Sequence, residues 1–132
     1  MRILVVEDDF TSRRVLARIL ESYGTCDVAI DGEEAVEAVR LALEGEGGNY
    51  DLICLDIMMP KMDGQSALKQ IRTLEDAHGI LLGEGAKIII TSALHDSKNV
   101  MEAFRSQGDG YIVKPYDKAK VVSELRQHGL IG

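Results

Sequence analysis

The chain reads as an α/β fold of three layers, a five-stranded parallel sheet with helices on both faces. Three observations predict it. Five short strand-like runs alternate with stretches whose apolar residues recur at helical spacing. Glycine, aspartate or proline, the residues that turn a chain, stand between these runs. The runs ILVV, LICL and III are apolar throughout, the mark of strands covered on both faces. Strand and helix in strict alternation fit a parallel sheet wrapped by its own crossovers.

In chain order, residues 2–6 (RILVV) form a strand buried on both faces. Residues 10–22 form a helix with Val15, Leu16, Ile19 and Leu20 on one side, stopped by Gly24. Residues 25–30 (TCDVAI) are the second strand. Asp31-Gly32 opens a helix to about Leu43 that turns Ala35, Val36, Val39 and Leu43 inward, and the glycine-rich stretch 45–49 ends it. Residues 51–55 (DLICL) are the third strand. Pro60 pushes Met59 out of the α region and Asp63-Gly64 is turn chemistry, so 57–64 begins as loop. A third helix follows from about Gln65 to Leu74, while residues 75–86 mix three glycines with Ile80, Leu81 and Leu82 and fit no single element. Residues 87–91 (KIIIT) are the fourth strand, Ser97–Gln107 a helix bounded by Gly108 and Gly110, and Tyr111–Val113 a short fifth strand. The last helix runs from Asp117 to about His128 with Val121, Val122 and Leu125 inward. The expectation is a single domain over residues 1–132, with no repeat, linker or output domain.

Right-handed crossovers leave few topologies for such a chain. In the flavodoxin-like order 2-1-3-4-5, ligands bind beyond the carboxyl ends of the strands, where the order reverses between strands 1 and 3. Strand 1 ends in Glu7-Asp8-Asp9 and strand 3 in Asp56; Thr91 and Lys114 end strands 4 and 5. The acids therefore fall at the expected crevice, with a hydroxyl and an amine beside them.

Composition narrows the function classes. A net charge of -7 argues against nucleic-acid binding, which rests on Lys and Arg neutralising phosphates. The trio Arg13, Arg14 and Arg18 reads as a solvated helix face. Met1 leads straight into a strand-like run instead of a secretory signal, and no apolar stretch approaches the roughly 18 residues that span a bilayer, so no membrane insertion and a cytoplasmic location are expected. Cys26 and Cys54 read as small buried hydrophobes in a reducing compartment. His78, His95 and His128 make no ligand spacing with them, which argues against zinc.

Two unit charges about 4 Å apart repel by about 4 kcal/mol at an effective dielectric near 20. Gathering Glu7, Asp8 and Asp56 therefore requires a compensating cation or protonation. Lys114 supplies one charge; a hard divalent ion such as Mg²⁺, held by Asp8, Asp56 and a loop carbonyl after strand 3, supplies more. A carboxylate at Asp56 can attack phosphorus and form an aspartyl phosphate, with Lys114 and Thr91 holding the transferred group. Asp9 suits a helix cap. Tyr111 reads, on its own, as an edge-strand aromatic, and the Lys114-Pro115 bond as trans by default.

The segments ILVVEDD (3–9), LICLDIMMPKMDG (52–64), IIITSA (88–93) and GYIVKPY (110–116) together resemble the receiver domains of two-component response regulators, particularly single-domain chemotaxis-type ones, over essentially the whole chain. The resemblance implies that Asp56 takes a phosphoryl group from a phosphohistidine on a sensor histidine kinase or histidine phosphotransfer protein. It implies that Asp8 is a direct Mg²⁺ ligand, Glu7 its acid partner acting through water, and Met58 a ligand through its backbone carbonyl. Lys114 would contact the phosphoryl group and precede a cis Pro115; Thr91 would move toward the phosphate and Tyr111 swing inward behind it. The surface of helix 4, strand 5 and helix 5 would then be read by a downstream protein, which the sequence does not name.

Stretches 43–50 and 75–86 look longer than in compact relatives; they are candidate recognition loops or tolerated insertions. Apolar Met58 and Ala93 imply slow self-hydrolysis of the phosphoryl group. Three other readings remain at this point: a relay intermediate or phosphate sink, a metal-dependent phosphohydrolase using Asp56 as nucleophile, and a binding module without phosphorylation. The phosphohydrolase reading wants a second Asp two positions after the nucleophile, where Met58 stands.

Overall fold

The computed structural model describes residues 1–45, 47–59, 62–93 and 96–132. The expected effect of Pro60 on the chain path and the place of His95 lie outside them. The elements run β1 (Arg2–Val6), α1 (Phe10–Leu20), β2 (Thr25–Ala29), α2 (Gly32–Glu44), β3 (Leu52–Asp56), α3 (Gly64–Ala77), β4 (Lys87–Ser92), α4 (Ser97–Arg105), β5 (Gly110–Val113) and α5 (Lys118–Gln127). The five strands are all parallel, in the expected order β2-β1-β3-β4-β5. Ends shift by a few residues: α3 continues to Ala77, and Asp56 is the last residue of β3 instead of the first after it.

Strand periodicity sorts the core into two layers. Ile3, Val5, Leu52, Cys54, Ile89 and Ile112 pack against α1 and α5, through Leu16, Leu20, Val121 and Leu125. Leu4, Val6, Ile53, Leu55, Ile88 and Ile90 pack against α2, α3 and α4, through Val39, Leu68, Ile71 and Ala103. Continuing the period-two count past the core puts Glu7, Asp56, Thr91 and Lys114 on the α1/α5 side, all at the carboxyl ends of their strands. Val15 departs from expectation and is 40% exposed. Leu16 and Leu20, one turn apart, take the sheet-facing line, and Val15 sits roughly 100° round the helix from Leu16. Cys54 is buried as expected, whereas Cys26, on edge strand β2, is only half-buried.

Four helices begin on an aspartate whose carboxylate accepts the backbone N–H three residues on. Asp9 caps α1 through Ser12 N at 2.8 Å, Asp31 caps α2 through Glu34 N at 2.9 Å, Asp63 caps α3 through Ser66 N and Asp117 caps α5 through Lys120 N, both at 2.8 Å. Such caps are worth about 1 kcal/mol each. At α4 the capping position holds Asp96, which makes no side-chain cap and accepts from the Asn99 amide at 2.7 Å instead. The N-terminus of α4 is thus the least secured of the five.

The two stretches that looked long meet at one buried carboxylate. Glu75, 3% exposed, accepts from Asn49 Nδ2 at 2.7 Å, from Ala86 N at 2.8 Å and from Arg72 Nη1 at 2.7 Å. Arg72 also donates to Ala86 O, Gln107 O and Asp109 Oδ2, and Asp109 in turn accepts from Ile88 N. A charged cluster therefore stitches the α2–β3 turn, the α3–β4 loop and the start of β5 together at the amino-terminal edge of the sheet. Leu81 and Leu82, at the tip of the α3–β4 loop, remain 67% and 78% exposed.

Candidate functional site

Two strand ends, those of β1 and β3, deliver three carboxyls to one place. Single ligand oxygens of Glu7, Asp8 and Asp56 all lie within 4.8 Å of one another. Glu7 and Asp56 are buried at 0% and 2% exposure, while Asp8 is exposed. Lys114, arriving from the end of β5, bridges them: its Nζ lies 2.9 Å from Glu7 Oε2 and 3.0 Å from Asp56 Oδ2. The bond from Lys114 to Pro115 is cis. Asp56 Oδ1 accepts from Met58 N at 3.0 Å, and Met58 itself is 61% exposed beside the cluster. Thr91 pairs with Asp56 across the β3–β4 register and is 1% exposed.

Burial sets the protonation of this cluster, and the Glu7 charge adds to it: together they push the Asp56 carboxyl up to about 7. Burial would raise Glu7 too, but hydrogen bonds from Lys114 and Tyr116 outweigh it and hold Glu7 below the usual carboxylate range. Lys114 loses to desolvation and gains more from Glu7 and Asp56, so its ammonium is held above its ordinary value. One charged carboxylate, one that titrates near neutrality and one ammonium leave the cluster short of positive charge. An all-oxygen donor set at this spacing fits a hard divalent cation such as Mg²⁺.

A buried hydroxyl without a partner is also present. Thr91 Oγ1 makes no hydrogen bond among the described residues. A buried donor left unmatched is costly. Tyr111 is not gathered into the site. It stands opposite Ile90 in the β4–β5 register, whereas Thr91 stands opposite Ile112, so Tyr111 and Thr91 leave opposite faces of the sheet. Tyr111 is 46% exposed and meets Phe104 of α4 edge to face, with ring centroids 6.1 Å apart.

Three contributors escaped the sequence reading. Tyr116 Oη donates to Glu7 Oε2 at 2.8 Å. Its signal was present: Ile112, Lys114 and Tyr116 are spaced by two. Arg13, counted among solvated arginines, reaches back from α1 to donate to Glu7 O at 2.9 Å and packs over the exposed ring of Phe10. Gly64 opens α3 against the loop after β3; a β-carbon there would overlap Ile57 Cα and Asp56 O. Its place in Asp63-Gly64 announced a turn but not this approach.

Residues 3–126 match the family model of the response regulator receiver domain. The chain is 36% identical over 126 residues to the chemotaxis protein CheY of Treponema pallidum, covering 94% of this chain and 79% of that protein. It is 34% identical over 129 residues to the osmosensing histidine protein kinase SLN1 of Saccharomyces cerevisiae, covering 96% of this chain and 10% of that kinase. Among solved structures, a chain of the CheX–CheY–BeF3–Mg²⁺ complex from Borrelia burgdorferi superposes with a TM-score of 0.81 at 32% identity, covering 96% of this chain and 87% of that one. Among the described residues no helix is long and apolar enough to cross a membrane.

Proposed function

The chain belongs to the response regulator receiver family, and from that premise we propose that Asp56 accepts a phosphoryl group from a phosphohistidine of a sensor histidine kinase or histidine phosphotransfer protein. The observation that supports this most is the single cluster of Glu7, Asp8, Asp56 and Lys114 at the sheet's carboxyl edge. Asp56 attacks phosphorus with a carboxylate oxygen; the P–N bond breaks and its electron pair stays on the imidazole nitrogen. Asp8, Asp56 and the Met58 carbonyl would hold Mg²⁺, with Glu7 acting through water, and the ion would supply positive charge against the phosphoryl oxygens. Lys114 pairs with one phosphoryl oxygen, and the unpartnered Thr91 hydroxyl donates to another.

The output is a change of surface. A bound phosphoryl group adds about -1.5 to -2 charges. Thr91 and Lys114 close on it, shifting the ends of β4 and β5 against each other. Tyr111 then repacks inward from Phe104, and α4, the helix without a side-chain cap, adjusts with it. A downstream protein reads the face of α4, β5 and α5. The chemistry is confined to the protein's own aspartate, with no external substrate.

Incubation with beryllofluoride and Mg²⁺, followed by amide NMR, tests the reading. Saturation at one equivalent is expected, with shifts at Thr91, Tyr111 and across α4. A protein that ignores both reagents overturns it. Met58 and exposed Ala93 offer no polar group to orient a hydrolytic water. Acetyl-phosphate-labelled protein, followed by phosphorus NMR, should therefore lose its phosphoryl group over minutes or longer; a half-life of seconds contradicts this.

A further inference from the structure

We propose that Tyr116 is a positioning residue of this site, its phenol holding the Glu7 carboxylate in place so that Lys114 is free to turn to the phosphoryl group. The proposal deepens the function proposed above and rests on it. Glu7 is wholly buried, and three donors among the described residues reach its carboxylate. Lys114 Nζ reaches both oxygens at 2.9 and 3.1 Å, Asp9 N reaches Oε1 at 3.3 Å, and Tyr116 Oη reaches Oε2 at 2.8 Å. Lys114 is also the ammonium on Asp56, the oxygen set that phosphorylation alters. When Lys114 follows the phosphoryl group, Glu7 keeps only the long bond from Asp9 and the short one from Tyr116. A buried carboxylate stripped of its remaining close donor would swing away to find another, and that movement spoils the acid pair.

The same phenol borders the switch hydroxyl. The Thr91 hydroxyl lies beside Tyr116 and works against burial in setting the phenol's acidity, but the pair falls short of hydrogen-bond geometry. Burial and the Glu7 charge still push the phenol well above its ordinary value, so it remains a neutral donor throughout the physiological range. Tyr116 thus touches the acid pair through its proton and adjoins Thr91. Its ring packs against the buried α1/α5 layer, on the side of the sheet where Glu7, Asp56 and Thr91 converge.

Tyr116→Phe keeps that ring and removes only the donor. Calorimetric titration with Mg²⁺ in the presence of beryllofluoride, the phosphoryl mimic that engages Lys114, should show about 10-fold weaker binding, the usual loss when a partner of a metal-site carboxylate is removed. The Thr91 methyl resonance should shift before any beryllofluoride is added. In a Glu7→Ala background the same substitution should change Mg²⁺ affinity less than 2-fold, because the phenol acts through Glu7. Wild-type affinity in Tyr116→Phe overturns the role, as does an equal loss on both backgrounds, which assigns the effect to packing. If the unaltered protein binds no Mg²⁺, the metal site falls and this inference with it. If it binds Mg²⁺ and takes up beryllofluoride while Tyr116→Phe matches it, only the role of Tyr116 falls.

Discussion

Asp56→Asn should take up no phosphoryl group from acetyl phosphate and, in the absence of metal, should unfold at a higher temperature than the unaltered protein near pH 8. The first outcome follows because an amide has no anionic oxygen to attack phosphorus. The second follows from the burial of Asp56 beside Glu7, which lifts its carboxyl from 3.8 to about 7 in the folded state. An unfolded chain releases that proton near the ordinary carboxylate value, whereas the folded chain keeps it until about pH 7. Between these limits the folded state binds the extra proton, so stability falls as pH rises and levels off above about 7. The slope is at most about 1.4 kcal/mol per pH unit, a few kcal/mol in all. Glu7 acts in the opposite direction and in a different window: its folded carboxyl is depressed, so its contribution is present above its ordinary value of 4.5 and lost on further acidification. Thermal melts of both proteins from pH 4.5 to 8 separate the two effects. The unaltered protein should show the slope and Asp56→Asn should not, and Mg²⁺ should flatten the slope of the unaltered protein by replacing the proton with a cation. Parallel melting curves for the two proteins would sink this account of the site's electrostatics.

Glu75→Ala should cost about 3 kcal/mol, a large share of the 5–15 kcal/mol that holds a domain of this kind together. The substitution removes a buried carboxylate, strands two donors, Asn49 Nδ2 and Ala86 N, and takes one of two acceptors from Arg72 Nη1, which keeps Ala86 O. Arg72 keeps Asp109 at 2.9 Å, so the loss falls at the lower end of the range for breaking a buried ion pair. The midpoint of thermal unfolding should drop by about 10 °C. Uptake of beryllofluoride at 25 °C should be unaffected, because Glu75 lies at the amino-terminal edge of the sheet and Asp56 at the other. A drop under about 3 °C would show that the stitched loops contribute little. Stretches 43–50 and 75–86 are therefore part of the fold's fastening through Asn49 and Ala86, whereas Leu81 and Leu82 project beyond it.

The strands and helices were legible because a parallel sheet leaves a plain record. Runs such as ILVV and III must be apolar to be covered on both faces, and the aspartates that precede α1, α2, α3 and α5 mark where helices begin. The convergence of Glu7, Asp8, Asp56 and Lys114 was legible too, since strand order and the carboxyl-edge rule place all four at one crevice. Side-chain choices one step removed were not. Val15 and Leu16 look alike as letters, and only the direction of α1 over the sheet turns one out and the other in. Nothing local distinguishes Glu75 from the exposed acids of other helices; its burial depends on two loops closing over it. The arginines of α1 look alike in the chain, and only the chain's return over Glu7 O engages Arg13.

Amino-acid order alone therefore determined the fold class, the edge of the sheet that bears the acidic cluster and the residue types that make it up. Those follow from periodicity and from strand ends, which are properties of neighbours along the chain. Tertiary structure decided which donor serves which oxygen: Tyr116 on Glu7, Lys114 shared between two carboxylates, Thr91 without a partner among the described residues and Tyr111 turned to the opposite face. These assignments depend on distances of a few ångströms between residues as much as 109 positions apart, and a chain's local pattern holds no record of them.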